Sequence, residues 1–247
     1  MSGRLQVLMP MGGLGQRFRD AGISTPKPLI EVRGVPMFKR ALASLDAYPG
    51  AKSLIVVVRE EHQRDFRLAD LIREVQPDAQ IVMLDHDTRG AVETAFSAAA
   101  VLDPDAPLVV MDCDIAFESD EYFTRIAEAV ESGAPEGLLL SFTSTDPRYS
   151  YAATDGNGSV YRTAEKDPIS DNALMGAYFF VSASVFLEAA QALLATPISA
   201  EMKEYYVSLL FNRLIEDGRP VGLARGEFYS FGTPAELERF EATGLPT

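Results

Sequence analysis

Leu5-Gln6-Val7-Leu8-Met9-Pro10-Met11-Gly12-Gly13-Leu14-Gly15-Gln16-Arg17-Phe18 opens with an apolar run and passes straight into three glycines within four residues. The run Leu5 to Met9 predicts a buried β-strand. Glycines directly after a strand let backbone amides approach a phosphate chain without side-chain interference. The glycine spacing is neither that of the dinucleotide fingerprint nor that of the Walker loop, and no Gly-Lys-Ser/Thr follows. A tight strand-to-helix turn uses glycines in the same way, so the loop alone leaves both readings open.

Outward from this segment, strand-sized apolar runs alternate with helical patterns. Ser53 to Val58, Gln80 to Leu84 and Leu108 to Met111 read as buried strands, with helices near Met37 to Leu45, Glu61 to Val75 and Ala91 to Leu102. That alternation predicts a mainly parallel sheet covered on both faces. The second half changes character. Leu138 to Thr143, Tyr151 to Thr154 and Val160 to Ala164 are short strands, Asp155-Gly156-Asn157-Gly158 is a hairpin signal, and Ala177 to Val181 is a further buried strand. Helices follow near Ser184 to Leu194 and Tyr205 to Asp217. A last helix starts at Thr233-Pro234-Ala235-Glu236, with a capping threonine and proline at the first helical position. The expectation is one Rossmann-like α/β domain over residues 1–247, a mainly parallel mixed sheet flanked by helices, with a small antiparallel substrate-side insertion. The change of character divides residues 1–118 from 119–247.

Thirty-six acidic against 22 basic residues give a formal net charge of -14. Such a surface repels phosphate backbones and anionic lipid, which argues against nucleic acid and membrane as partners. No apolar run approaches the ~20 residues that span a bilayer, and the N-terminus lacks the regions of a signal peptide. A single cysteine, Cys113, allows no internal disulfide. A cytoplasmic protein is expected, and the pattern leaves its oligomeric state open, a homo-oligomer included.

Two more segments carry chemistry. In Thr25-Pro26-Lys27-Pro28-Leu29 the lysine stands between two prolines that stiffen its backbone. A cation placed in advance suits a phosphate, although a solvated lysine in a proline-rich turn has the same sequence. Leu108-Val109-Val110-Met111-Asp112-Cys113-Asp114 is a strand ending in two carboxylates, which strand alternation sets on one face. Ligands of open α/β sheets bind beyond the carboxyl ends of strands, and carboxylates there suit magnesium, which takes one or two from the protein. Cys113 between them is expected to point into the core.

The ordered pair Gly12-Gly13-Leu14-Gly15-Gln16-Arg17-Phe18 and Pro26-Lys27-Pro28-Leu29 resembles the signature of the sugar-phosphate nucleotidyltransferases. It is similar in particular to a branch found among capsule and surface-polysaccharide genes. The resemblance covers nearly the whole chain. It implies that Met11, Gly12, Gly13 and Gly15 wrap a nucleoside triphosphate, together with Gly90, Glu93 and Asp112. Arg17 and Lys27 would be the catalytic cations on its phosphates, with Asp114 as the ligand of Mg2+. Thr163-Ala164-Glu165-Lys166 resembles the Glu-Lys pair that meets the phosphorylated acceptor: Lys166 would bind its phosphate and Glu165 orient a hydroxyl or the lysine. In Asn172-Ala173-Leu174-Met175-Gly176, Gly176 would allow close backbone contact with that acceptor and Asn172 a hydrogen bond. Many relatives carry a second metal-binding aspartate two residues before the glycine of a late Gly-Thr pair. Here Gly232-Thr233 follows Ser230, so that ligand is missing, replaced by water, or supplied from elsewhere, with Asp112 and Glu204 as candidates.

Glu93 stands where relatives often use glutamine to read the base. An ionised carboxylate only accepts hydrogen bonds, which favours CTP, with GTP next; a helix-start glutamate is the structural alternative. Arg59 and Arg148 are further cations for anionic substrate or for the surface, and structural or solvated roles are expected for His62 and His86. The reaction implied is in-line attack of an acceptor phosphate on the α-phosphorus with release of pyrophosphate, which needs positioning and charge neutralisation rather than a covalent catalyst. Two other readings stand beside it. Asp112-Cys113-Asp114 also fits the Asp-X-Asp string of a glycosyltransferase, and Ser230 fits a nucleotide-binding regulatory subunit without turnover.

Overall fold

The computed structural model describes residues 4–198 and 203–247. Among these, nine strands form one mixed sheet. Its parallel part contains Gln80–Leu84, Lys52–Arg59, Leu5–Met11 and Leu108–Met111, in that spatial order. The antiparallel strand Asn172–Phe180 then pairs with Leu108–Met111 and continues the sheet into Gly137–Thr143 and the hairpin Ser150–Thr154/Val160–Glu165. Val221–Arg225 closes the far side, parallel to Gly137–Thr143.

Side-chain alternation divides the interior into two cores, one on each face. Val7, Met9, Met11, Val56, Val58, Val109 and Met111 pack against helices Met37–Ala43, Leu68–Val75 and Asp120–Ser132. Leu8, Ile55, Val57, Leu108 and Val110 face Ala91–Phe96, Ala183–Leu194 and Leu210–Glu216. The parity continues past the strand end: Cys113 joins the first core, and Asp112 and Asp114 line a cavity instead. Burial raises the Cys113 thiol far above its ordinary value, so it is inert packing rather than a nucleophile.

Several elements differ from the sequence expectation. The helix expected over Glu61 to Val75 is two helices, Glu60–Phe66 and Leu68–Val75, separated at Arg67 in the left-handed conformation (φ 56°). Ala91 to Leu102 breaks after Phe96 and ends in a 3-10 turn, and Tyr205 to Asp217 becomes helical only at the 3-10 turn Val207–Leu209. Tyr205 and Tyr206 are left outside it. The helix Asp120–Ser132 and the two-stranded sheet Ile115–Glu118/Glu227–Ser230 were not expected. The hairpin at Asp155–Gly158 forms as read, with Asp155 accepting from the amides of Asn157 and Ser159. Thr233 caps the last helix by accepting from Glu236 N.

His62 is buried, and neither ring nitrogen has a hydrogen-bond partner among the described residues; Glu61 stands 3.9 Å away. Burial holds its pKa below the ordinary value. The protonated form is therefore favoured by the unfolded chain, and stability present above the unfolded pKa is lost as pH falls through it. His62→Phe is expected to lose less melting temperature between pH 8 and pH 5 than the parent; equal losses in thermal melts would remove His62 as the cause.

Candidate active site

Four parallel strands place their carboxyl ends on one edge of the sheet, and the candidate residues gather there. Met11 runs into the glycine loop, Arg59 and Leu84 pair beside it, and Asp112 follows Met111. Gly176, on the antiparallel strand, accepts a hydrogen bond from Asp112 N at 2.9 Å. Two cavities open along this edge.

The first, about 620 Å³, is lined by Gly12, Gly13, Gln16, Arg59, Thr88, Arg89, Gly90 and Thr94. Gly12 lies so close to Thr94 and Leu84 that a Cβ would come within 2.8 Å of both side chains. Arg59 braces the loop from the neighbouring strand: it donates to Gly12 O at 3.2 Å while Asp87 and Glu61 accept from it at 2.8 and 2.9 Å. Gly15 starts the short helix Gln16–Asp20 and packs against Lys27, and Met11 keeps its side chain in the core.

The second cavity, about 300 Å³, holds Arg17, Asp112, Asp114, Glu165, Lys166 and Gly176. Lys27 Nζ lies 2.5 Å from Asp114 Oδ2. Burial works against the Lys27 charge, but Asp114 and its neighbours outweigh it and hold the ammonium above its ordinary pKa. Asp112 is pushed up to about 7 by burial and by the Asp114 charge beside it. Asp112, Asp114 and Lys27 thus sit together at one side of a cavity that Arg17 and Lys166 also line. Glu165 accepts from the hydroxyls of Ser150 and Ser208, and burial raises its carboxyl. Lys166 takes a left-handed backbone (φ 54°), a conformation that costs a non-glycine residue about 1 kcal/mol, and reaches Tyr206 Oη at 3.1 Å. Glu204 lines both cavities, so the two adjoin.

The chain matches the MobA-like NTP transferase domain over residues 7–196. It belongs to that family. It is 27% identical to a nucleoside-diphosphate-sugar pyrophosphorylase from Vibrio cholerae, at a TM-score of 0.82 over 96% of this chain and all of the other. A UDP-glucose pyrophosphorylase solved with UDP-glucose shares the fold, at a TM-score of 0.76, 14% identity and 98% coverage of both chains. The catalytic subunit beta of mannose-1-phosphate guanylyltransferase from Drosophila melanogaster is 25% identical over 186 residues, which are 71% of this chain and 48% of that one. The chain spans about half the length of the curated relatives it matches.

In this MobA-like NTP transferase domain three expected site residues are placed elsewhere: Met11 in the core, as above, and Asn172 and Glu93. Asn172 is buried in the sheet, where its amide donates to Ala152 O at 3.1 Å and its carbonyl accepts from Arg225 at 2.6 Å. It does not line the second cavity, and its hydrogen bonds satisfy the sheet interior. Glu93 does not line the first cavity. Its carboxylate accepts from Arg89 N at 2.5 Å, Nε at 3.0 Å and Nη2 at 2.6 Å, and the hydrogen bonds from Arg89 lower its pKa. The preference for CTP drawn from an acceptor at position 93 loses its geometric basis.

Other residues enter that the sequence reading passed over. Glu236, read only as a helix-start glutamate, is a buried carboxylate paired with Arg148 at 3.1 Å. Both border the second cavity and a third of about 410 Å³ that contains Arg239. A Cβ on Gly232 would sit 2.7 Å from Asp114 Oδ2 and 3.3 Å from Glu236 Oε2. Tyr206, Ser150 and Ser208 hold the Glu165-Lys166 pair, and only the fold brings them to it.

Magnesium takes one or two carboxylates from a protein. Asp112 and Asp114 supply two carboxylates on one cavity wall, and no group of three or more His, Cys, Asp or Glu able to hold a metal occurs among the described residues. That fits an ion whose remaining positions are filled by phosphates and water. It does not fit a standing all-protein cage. Ser230 is buried beside Gly232 and offers a hydroxyl at the position expected for the second aspartate. No helix among the described residues is long and apolar enough to cross a membrane.

Proposed function

We propose that this protein transfers a nucleoside monophosphate from a nucleoside triphosphate to a sugar phosphate, releasing pyrophosphate and supplying an activated sugar for surface-polysaccharide synthesis. The observation that carries the reading is the meeting of the glycine loop, Arg17, Lys27 and the Asp112/Asp114 strand end between two adjoining cavities. The larger takes the nucleoside; the smaller takes the acceptor, its phosphate held by Lys166 and its hydroxyls facing Glu165. An oxygen of the acceptor phosphate attacks the α-phosphorus, and the bond from that phosphorus to the bridging oxygen of pyrophosphate breaks. The nucleophile is already ionised near neutral pH, so no proton has to be removed. Lys27 and Arg17 neutralise charge that grows on the departing pyrophosphate. Asp114 and Asp112 are the residues that would hold Mg2+, which supplies electrophilic charge at the phosphates.

The test is pyrophosphate release with magnesium, each of the five common triphosphates being paired with a panel of sugar phosphates. Release that requires one triphosphate and one acceptor is expected, and Lys27→Ala should lower it by about 100-fold or more with the fold intact. Near-normal turnover in that variant would reject the role given to Lys27. Hydrolysis or glycosyl transfer from a ready-made nucleotide sugar, without pyrophosphate, would reject the reaction.

A further inference from the structure

A third core, smaller than the two on the main sheet, buries Phe18, Ile30, Val32, Met37, Phe231 and Phe240 together. The groups assigned to the reaction are each one step from it. Phe18 follows Arg17 in the short helix Gln16–Asp20, and Ile30 N donates to Lys27 O at 3.2 Å. Phe231 N donates to Asp114 O at 2.9 Å. Phe240 belongs to the last helix, Pro234–Thr243, and packs edge-on against Phe231 with ring centroids 4.9 Å apart.

Arg33 fastens that helix. Val32 pairs with Val35, so Arg33 and Gly34 form a two-residue hairpin turn, both at positive φ (49° and 73°). Such a turn favours asparagine before glycine, and a left-handed arginine is unfavourable there. The turn does not explain the arginine; its contacts with the helix do. Arg33 N donates to Glu241 Oε1 at 2.6 Å, Nη2 donates to Glu241 O at 3.3 Å, and Cζ lies 5.1 Å from the Phe240 ring. A Cβ on Gly244 would fall 2.7 Å from Nη1, so the helix end closes over the guanidinium.

We propose that Arg33 is a positioning residue: by latching the last helix it sets the third core, and through that core the places of Arg17, Lys27 and Asp114. The proposal rests on the nucleotidyl-transfer reading above. Arg33 and Glu241 are exposed, and exposed polar contacts add little to global stability. Their effect falls on alignment, where small displacements of charged groups cost rate.

The experiment uses the full chain with magnesium. It measures pyrophosphate release with the five triphosphates and the sugar-phosphate panel, thermal melting, and amide hydrogen exchange without substrate. Arg33→Asn keeps a residue suited to the turn and removes the guanidinium. It is expected to lower kcat by about tenfold, with both KM values within about twofold of the parent, and to leave the melting temperature within about 3 °C. Exchange should quicken by about tenfold at the amides of Phe18, Ile30 and Phe231, and stay unchanged in Leu5–Met11 and Lys52–Arg59. Glu241→Gln keeps an acceptor for Arg33 N and should keep the rate. Glu241→Ala should lower kcat, and add less than its own effect in the double variant with Arg33→Asn. Arg67→Asn is the control: Arg67 is also left-handed (φ 56°) but lies outside the third core, and its loss should leave kcat unchanged. Parental kcat in Arg33→Asn, parental exchange, or exchange quickened over the whole sheet would each make Arg33 an ordinary turn or stability residue, and overturn the assignment while nucleotidyl transfer stands. A parent that releases no pyrophosphate with any pair overturns the two together.

Discussion

Asp114→Asn is expected to lower kcat/KM for pyrophosphate release by about 1,000-fold while leaving a folded protein. The substitution keeps the side-chain shape and an oxygen that can accept from Lys27, but it removes the charge. Two functions fail together. The strand end loses the carboxylate best placed to share a divalent ion with phosphate oxygens, and Lys27 loses the anion 2.5 Å away that sets its position. Breaking a fully buried pair costs roughly 3–5 kcal/mol. Here the two side chains keep 25% and 17% of their exposure, so solvent screening brings the expected loss to about 1–2 kcal/mol. The check is a single variant measured twice, by steady-state kinetics and by thermal melting. A thousandfold loss of rate with a shift of only a few degrees supports the assignment; near-normal rates would remove Asp114 from the reaction.

The second large effect is expected from one methyl group. Gly176→Ala puts a Cβ at 2.5 Å from Asp112 Oδ2, on a residue whose φ of 93° an alanine does not readily adopt. Gly176 sits where the ladder to Gly137–Thr143 shifts register, between Leu174 and Tyr178, and its carbonyl is tied to Asp112 N. The Asp112 carboxylate must therefore move. A cost of about 2–3 kcal/mol is expected from overpacking and backbone strain, or roughly 5–10 °C in melting temperature for a chain of this size. Turnover should fall by about 100-fold, because even small displacements of positioned groups are costly to catalysis. A variant that melts early yet turns over normally would show that Asp112 is structural.

The parts of this molecule legible in its sequence are those fixed by local chemistry. The apolar runs of the parallel strands, the glycine loop after Met11, the stiff Pro26-Lys27-Pro28 turn and the Asp155–Gly158 hairpin each depend on neighbours within a few residues. Parity along Leu108–Asp114 also sufficed to send Cys113 inward and the aspartates to the cavity. What was not legible depends on partners far along the chain. Asn172 became structural because Arg225 reaches it from another strand, and Glu236 became a site residue because Arg148 meets it. The break at Arg67 needed a left-handed residue that nothing in its side chain announces. The helix Asp120–Ser132 is a different matter. Ser119 caps it, Gly133 ends it, and Tyr122, Phe123, Ile126 and Ala129 form its buried stripe, so its signals are local and present in the sequence. The Arg89–Glu93 pair was likewise visible as an i,i+4 spacing; which of the two lines the cavity was not.

The small sheet made by Ile115–Glu118 and Glu227–Ser230 joins segments more than a hundred residues apart, and it begins at the residue after Asp114. Closing a loop of that length is among the slower events available to a folding chain. During synthesis the acidic strand end therefore leaves the ribosome long before the segment that lies against it. A nascent chain can pair Leu5–Met11, Lys52–Arg59 and Leu108–Met111 early, yet Ser230, Gly232 and Glu236 reach Asp114 only when translation has passed them. The position of this sheet makes Ser230, Gly232 and Glu236 among the last residues to join the Asp114 strand end as the chain is made.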